Sequence, residues 1–273
     1  MKDILEEIIA YKRIEVDGFK SMMSLRELSK KVEGLLDNPQ PSMREALLRS
    51  DTGIIAEFKR KSPSKGWIKE EGQADVIPLS YQQNGAAAVS ILTDTKFFGG
   101  RDEFIVKART SGVEIPVLYK NFIVDEYQLF QARYCGASAA LLITSALKKD
   151  ECRMLIRLAH ELGLEVLMEM HSEWDLDYAE LEPDMYGINN RNLGSFVTDV
   201  QNSFMLAAKL PDDVCKVSES GISSPSTVRL LRNIGFNGFL IGESFMKTDD
   251  PGKALKSFIE ELELIQYYNF KRI

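Results

Sequence analysis

The sequence predicts an α/β fold, a closed (β/α)8 TIM barrel with an N-terminal helical extension, on three observations. From Ile54 onward, eight short apolar runs rich in β-formers alternate with longer segments of helical period. The runs are nearly continuous in apolar character, which marks strands of a parallel sheet covered on both faces. The length, 273 residues, suits one barrel of eight such units. An open doubly wound sheet is the alternative, and the count of eight favours closure.

The elements follow in order. Residues 1 to about 50 fall outside the repeat and read as helices: DILEEIIAYKRIEV (3–16), SLRELSKKV (24–32) and SMREALLRS (42–50). They are expected to pack on the barrel within a single domain, 1–273, with Asn38-Pro39-Gln40-Pro41 as a hinge or turn. The expected strands are IIAEFK (54–59), AAVSILT (87–93), IPVLYK (115–120), AALLIT (139–144), EVLMEM (165–170), MYGINN (185–190), CKVSES (215–220) and GFLIGE (238–243). Between and after them lie the helical stretches DEYQLFQARYCG, KDECRMLIRLAHELG, SPSTVRLLRNIG and PGKALKSFIEELEL. In the second of these, Met154, Leu155, Leu158, Ala159 and Leu162 form an i, i+3, i+4 stripe, and Gly163 ends the helix.

Composition narrows the function. The chain is 44% hydrophobic and 27% charged, with a net charge of −7 and a pI near 5.1. That balance argues against a broad surface for nucleic acid or an anionic membrane, while leaving room for a local basic pocket. Three scattered cysteines (Cys135, Cys152, Cys215) and two histidines argue against a disulfide framework or a structural zinc site. This usage fits a reducing cytoplasm. The charged N-terminus lacks an apolar signal core, and no apolar run approaches the ~20 residues needed to span a bilayer. A monomer that stands alone is expected.

The chemistry is concentrated at strand ends. In this barrel class catalytic groups sit where strands run out, and residues two apart share a face. Glu57 and Lys59 close the first strand, Lys120 the third, Glu169 lies near the end of the fifth, and Asn189 and Arg191 close the sixth. Ser220 ends the seventh, and Gly242 and Glu243 the eighth. Singly, each has a plain reading: a structural ion pair for Glu57 and Lys59, a snorkelling lysine for Lys120, a helix N-cap for the serines after Gly221. Glu169, between two methionines, is harder to dismiss, because a carboxylate among apolar neighbours has a partner or a raised pKa. His160 and His171 read as structural or exposed. The conjunction of the lysines, glutamates, Asn189 and Arg191 at strand ends on one rim makes the functional case, because each charge is costly to desolvate unless paired. SESGI and IGES, at the last two strands, supply the glycines and hydroxyls of an anion site of the kind that holds phosphate.

Five stretches, AEFKRKSPSKG (56–66), VLYKNFIV (117–124), GINNRNL (187–193), SESGI (218–222) and LIGESFM (240–246), together resemble the indole-3-glycerol-phosphate synthase family, in order across the barrel. The resemblance implies a barrel with extra N-terminal helices, no metal and no organic cofactor. It implies a phosphorylated small-molecule substrate, 1-(2-carboxyphenylamino)-1-deoxyribulose 5-phosphate, closed to indole-3-glycerol phosphate with loss of carbon dioxide and water in tryptophan biosynthesis. By resemblance Lys120 is the general acid, Lys59 a second acid or carboxylate-binding group, and Glu57 and Glu169 share base and electrostatic roles. Asn189 and Arg191 hold substrate hydroxyls or the carboxylate, and Phe98 and Phe122 sandwich the aromatic ring. Ser62, Ser220, Gly221, Gly242 and the Glu243 amide meet the phosphate or line its site, with Glu219 also among the binding residues. Clustered cations (Lys59, Arg191) are expected to lower the Lys120 pKa toward neutrality.

Three positions depart from the commonest pattern: Asn121 where aspartate is usual, Glu243 where some relatives carry serine, and His171-Ser172 in place of a more acidic turn. The alternatives are another phosphosugar barrel, such as one resembling phosphoribosylanthranilate isomerase, and a non-enzymatic phosphate-binding barrel. The isomerase reading needs a cysteine at a strand's end, whereas Cys215 opens its strand.

Overall fold

The computed structural model describes residues 4–192 and 197–270. Leu193, the last residue of the GINNRNL motif, lies outside the described residues. Eight parallel strands form a closed barrel: β1 (Ile54–Phe58), β2 (Ala88–Leu92), β3 (Val117–Lys120), β4 (Ala139–Ile143), β5 (Glu165–Met170), β6 (Met185–Asn189), β7 (Lys216–Glu219) and β8 (Phe236–Ile241). Each pairs with its neighbours in sequence, and β8 closes on β1 through Ile54 opposite Phe239. Covering helices follow the strands: α4 (Ile77–Gln83), α5 (Glu103–Thr110), α6 (Glu126–Cys135), α7 (Lys149–Glu161), α8 (Gln201–Ala207), α9 (Pro225–Asn233) and α11 (Pro251–Phe270). A 3-10 helix, Glu173–Leu181, takes that place between β5 and β6. None of the helices among the described residues is long and apolar enough to cross a membrane.

Strand alternation divides the core in two. Ile55, Leu118, Leu141, Leu167, Met185, Val217 and Leu240 point inward and pack together inside the barrel. Residues of the other parity, such as Ile54, Ala56, Val89, Val117 and Tyr119, face the helices. Two or four residues beyond these inward apolar residues, the same face reaches the mouth, so barrel geometry itself decides which side chains meet there.

The extension comprises α1 (Ile4–Met22), α2 (Leu25–Glu33) and α3 (Met43–Arg49). It touches both ends of the barrel. Met43 and Leu47 of α3 join the interior cluster with Met185, Cys215 and Val217 at the strand starts. Ser42 caps α3, and the Glu165 carboxylate at the start of β5 accepts hydrogen bonds from Ser42 Oγ, the Met43 amide (2.7 Å) and the Arg44 amide (2.9 Å). At the other end, Leu5 and Ile8 of α1 pack with Phe97 and Phe122. Residues 39–42 carry no regular element between α2 and α3, and buried Arg133 of α6 donates to the carbonyls of Leu35 and Asn38 just before them.

Other expectations need adjusting. Met154 lies outside the buried stripe of α7, at 57% exposure, because a stripe set by Cys152, Leu155, Ile156 and Ala159 faces the barrel. Gly163 does follow the helix end in the left-handed region, φ 69°. The last strand begins two residues earlier than expected, at Phe236, and ends before Gly242.

Candidate active site

A cavity of about 610 Å³ opens at the carboxyl ends of the strands. Every site residue expected from the sequence borders it except Ser62. The Ser62 hydroxyl is buried and accepts the Lys65 amide at 3.2 Å, so it shapes the loop, and its neighbours Pro63, Ser64 and Lys65 border the cavity instead. Inward parity explains the convergence. Glu57 follows Ile55, Lys120 follows Leu118, Glu169 follows Leu167, and Glu219 follows Val217, each two residues on; Asn189 follows Met185 by four.

At the centre stands Lys120. Its ammonium lies 2.5 Å from Glu219 Oε2 and 3.4 Å from Glu169 Oε2. The other Glu169 oxygen accepts from Asn189 Nδ2 at 3.0 Å and faces His171 Nε2 at 3.1 Å. Beside this cluster, Lys59 Nζ is paired to Glu57 Oε1 at 2.5 Å. Asn189 Oδ1 accepts the Arg191 amide at 2.9 Å, and Arg191 Nε donates to Thr198 Oγ1 at 3.3 Å. His171 is therefore neither a bystander nor exposed: its ring abuts a buried carboxylate, and its Nδ1 lies 3.3 Å from Ser145 Oγ.

The electrostatics reverse the expectation for Lys120. Burial alone pushes its ammonium down, but Glu219, Glu169 and Glu57 outweigh that and hold its pKa above the ordinary lysine value. The nearest charges are carboxylates, at hydrogen-bonding distance. Burial raises the Glu169 carboxyl, yet Lys120, His171 and Asn189 prevail, and it is held below its usual range. Glu57 is likewise lowered: burial opposes ionisation, and Lys59 and Lys120 overcome it. Glu219 goes the other way. Burial, with the Glu169 charge beside it, overrides Lys120 and lifts its carboxyl to about 7. Two acids share one ammonium, and their environments push them apart. Glu219 was expected among binding groups; its contact with Lys120 places it in the proton-bearing cluster, and its position two residues after inward Val217 is the signal that finds it.

Two chemically distinct ends flank the cluster. On one side Phe98 and Phe122, which follow β2 and β3, face each other with ring centroids 5.9 Å apart and planes inclined by 37°. Leu92, Ile143, Leu5 and Ile8 complete this apolar wall. Asn121, beside Lys120, is fully engaged: its amide donates to Thr93 Oγ1 at 2.9 Å and Tyr119 OH at 3.3 Å, and its carbonyl oxygen accepts the Phe122 amide at 2.8 Å. The departure from aspartate thus puts a neutral, hydrogen-bonded group next to Lys120 in the chain.

On the other side, β7 and β8 end in a pocket of backbone. Ser220 and Gly221 both adopt positive φ, 66° and 75°, which turns the chain sharply after β7. Gly242 caps the short helix α10 (Glu243–Met246), whose first amides, Glu243 and Ser244, belong to the turn that has no intrahelical acceptor. A Cβ at Gly242 would lie 2.5 Å from Glu57 Oε1, so only glycine there lets the backbone after β8 lie against the Glu57 carboxylate. The Glu243 carboxylate is part-exposed and 3.9 Å from Lys65 Nζ at the rim.

Residues 5–258 match the family model of indole-3-glycerol phosphate synthase. A protein of that name from Bacteroides thetaiotaomicron is 56% identical over 264 residues, covering 96% of this chain and 100% of the relative. Another of that name from Aromatoleum aromaticum is 40% identical over 260 residues, covering 94% and 99%. Among solved structures, 3-hexulose-6-phosphate synthase from Salmonella typhimurium superposes with a TM-score of 0.61 at 15% identity, covering 78% of this chain and 99% of the other. Thiamine phosphate pyrophosphorylase from Pyrococcus furiosus does so at 0.59, also 15% identical, covering 80% and 98%. Those two share the barrel fold. The match along the chain to the family model, with relatives covered end to end, establishes that the chain belongs to the indole-3-glycerol phosphate synthase family.

Proposed function

We propose that the protein closes the indole ring, converting 1-(2-carboxyphenylamino)-1-deoxyribulose 5-phosphate to indole-3-glycerol phosphate, carbon dioxide and water. The observation that carries this reading is the order of groups across one mouth: an aromatic wall, a buried ammonium among three carboxylates, and a backbone anion pocket. The substrate has the same order, with an aromatic carboxylate at one end, a ketose in the middle and a phosphate at the other.

Phe98 and Phe122 hold the ring, and the amides of Gly221, Gly242, Glu243 and Ser244 hold the phosphate. The ring carbon bearing the carboxylate attacks the ketose carbonyl, and Lys120 donates its proton to the carbonyl oxygen as that bond forms. The developing iminium cation is stabilised by Glu169, which stays ionised against Lys120 and Asn189. Carbon dioxide leaves with the ring-carbon bond cleaved, and its electron pair restores the aromatic system. Dehydration then needs one acid for the departing hydroxyl and one base for a proton of the new ring. Lys59 and Glu57, paired at 2.5 Å, supply both. Glu219 titrates near neutrality beside Lys120 and is the group fitted to return the proton that Lys120 gives up. Arg191 meets the departing carboxylate through its planar donor fork.

The test is turnover by the purified protein, followed by indole fluorescence and carbon dioxide release. Wild type is expected to form fluorescent product, and Lys120→Met to lose about a hundredfold or more in kcat, the contribution of a general acid. Folded wild type that stays dark defeats the proposal. A dark wild type that still binds the substrate tightly would favour a non-enzymatic phosphate-binding barrel.

A further inference from the structure

We infer that Lys12, on helix α1 outside the barrel, is a positioning residue that sets the aromatic wall of the cavity through Asp94. The inference rests on the ring-closing reading above, in which that wall holds the substrate's ring.

Lys12 has 1% of its side chain exposed, although it sits in an amphipathic helix whose other lysine, Lys20, is part-exposed. Its ammonium lies 2.7 Å from Asp94 Oδ2 and 2.5 Å from Glu15 Oε2. Asp94 follows β2 by two residues and is fully buried. Its other oxygen, Oδ1, accepts the amides of Phe97 (2.8 Å) and Phe98 (3.1 Å), and its carbonyl accepts the Gly100 amide at 2.7 Å. One carboxylate therefore ties together a helix of the extension and the turn that presents Phe98. The tie is reinforced by rings: Tyr11 meets Phe97 edge-on with centroids 5.9 Å apart, and Lys96 sits 4.0 Å above the Tyr11 ring.

A buried ion pair of this kind adds little net stability, because desolvation of both ions consumes most of the attraction. Its value is directional. An apolar contact between α1 and the turn would tolerate sliding and rotation, whereas an ammonium held by two carboxylates admits one placement. The same helix sends Ile4, Leu5 and Ile8 into the cavity wall. Fixing α1 on Asp94 thus fixes two sides of the ring-binding end together. Lys12 has no contact with Lys120 or the proton-bearing carboxylates among its ion pairs, so its effect falls on binding geometry.

The experiment compares Lys12→Met, Lys12→Arg and the double variant Lys12→Met/Asp94→Asn in steady-state kinetics. The double variant avoids an unpaired buried carboxylate and keeps an oxygen at position 94 for the two phenylalanine amides. Lys12→Met and the double variant are expected to raise KM about three- to tenfold, the worth of a misplaced aromatic contact, with kcat within about twofold of wild type. Lys12→Arg is expected to recover most of the loss. An unchanged KM in variants that merely melt earlier overturns the inference and leaves Lys12 as a tether of the fold. If wild type shows no turnover, the ring-closing reading fails instead, and a crystal structure of the double variant decides the anchor alone. A Phe98 ring displaced from its wild-type place supports the anchor, and a superimposable 94–98 segment refutes it.

Discussion

Lys120 is held by two carboxylates that behave as opposites, and this contrast is where single-residue experiments have the most to say. Glu169 is kept ionised by Lys120, His171 and Asn189. Glu169→Gln is nearly isosteric and retains an acceptor for Asn189, so substrate should still bind while kcat falls by about a hundredfold or more, because charge stabilisation acts on the transition state. Steady-state kinetics check the split; a kcat near wild type removes Glu169 from the mechanism. Glu219 carries a pKa raised from 4.5 to about 7. An acid with a raised folded-state pKa stabilises fully below its unfolded value and loses that contribution as pH rises through the folded value. Wild type should therefore lose stability relative to Glu219→Gln between those two values, read as the difference of melting temperatures across the range. A pH-independent difference contradicts the assignment. Glu169 and Glu57, both depressed, contribute with the other sign: their stabilisation is present above the ordinary glutamate value and is lost in acid. Most of these residues were legible before any coordinates, because strand parity places Glu57, Lys120, Glu169 and Asn189 on one inward face. What parity could not show was distance. Lys120 was expected to feel cations, and only the fold reveals that Glu219 lies at 2.5 Å. For the same reason His171, read as a turn residue, turns out to abut Glu169.

At the scale of elements, the site depends on strand ends that do not move, and the extension closes the barrel where side chains run out. Helix α3 is the plug. Its first-turn amides and the Ser42 hydroxyl converge on Glu165, which stands at the start of β5, the strand that ends in Glu169. A carboxylate at a helix N-terminus satisfies orphan donors and complements the dipole. Glu165→Ala should cost about 1–3 kcal/mol in urea denaturation, as for hydrogen bonds to a charged group, with kcat unchanged. A loss of kcat at unchanged stability would mean that β5 is tuned from its far end. All eight strands were legible as apolar runs, since a buried parallel strand announces itself by continuous β-formers. Their limits were less so. Gly242 reads as the end of the last strand and is in fact the cap of α10, because the turn into that helix has no sequence period of its own. Met154 shows a similar limit: it satisfies the helical spacing, but α7 presents a stripe shifted toward Cys152 and Ile156.

The whole molecule carries a net charge of −7, yet the cavity lining sets five basic side chains (Lys59, Lys65, Lys120, Arg191, Lys247) against four carboxylates (Glu57, Glu169, Glu219, Glu243). A doubly anionic ligand thus meets a small excess of cations there, on a molecule that is otherwise net negative. The extension matters at this scale, because α1 walls the ring end while α3 seals the opposite end of the barrel. The general layout was readable from the alternation of runs, whereas the contact between α1 and the cavity was not, since nothing in DILEEIIAYKRIEV separates a helix that lines a site from one that merely packs. Orientation of the ligand is what all of this turns on: ring at Phe98 and Phe122, phosphate at Gly221 and Gly242, and Lys120 between them. The most direct measurement is a crystal structure of the protein soaked with indole-3-glycerol phosphate. The indole is expected between the two phenylalanines, the phosphate against the amides that follow β7 and β8, and the Lys120 ammonium facing the ring-closing carbon. A product bound in reverse, or at a place remote from Lys120, would contradict it.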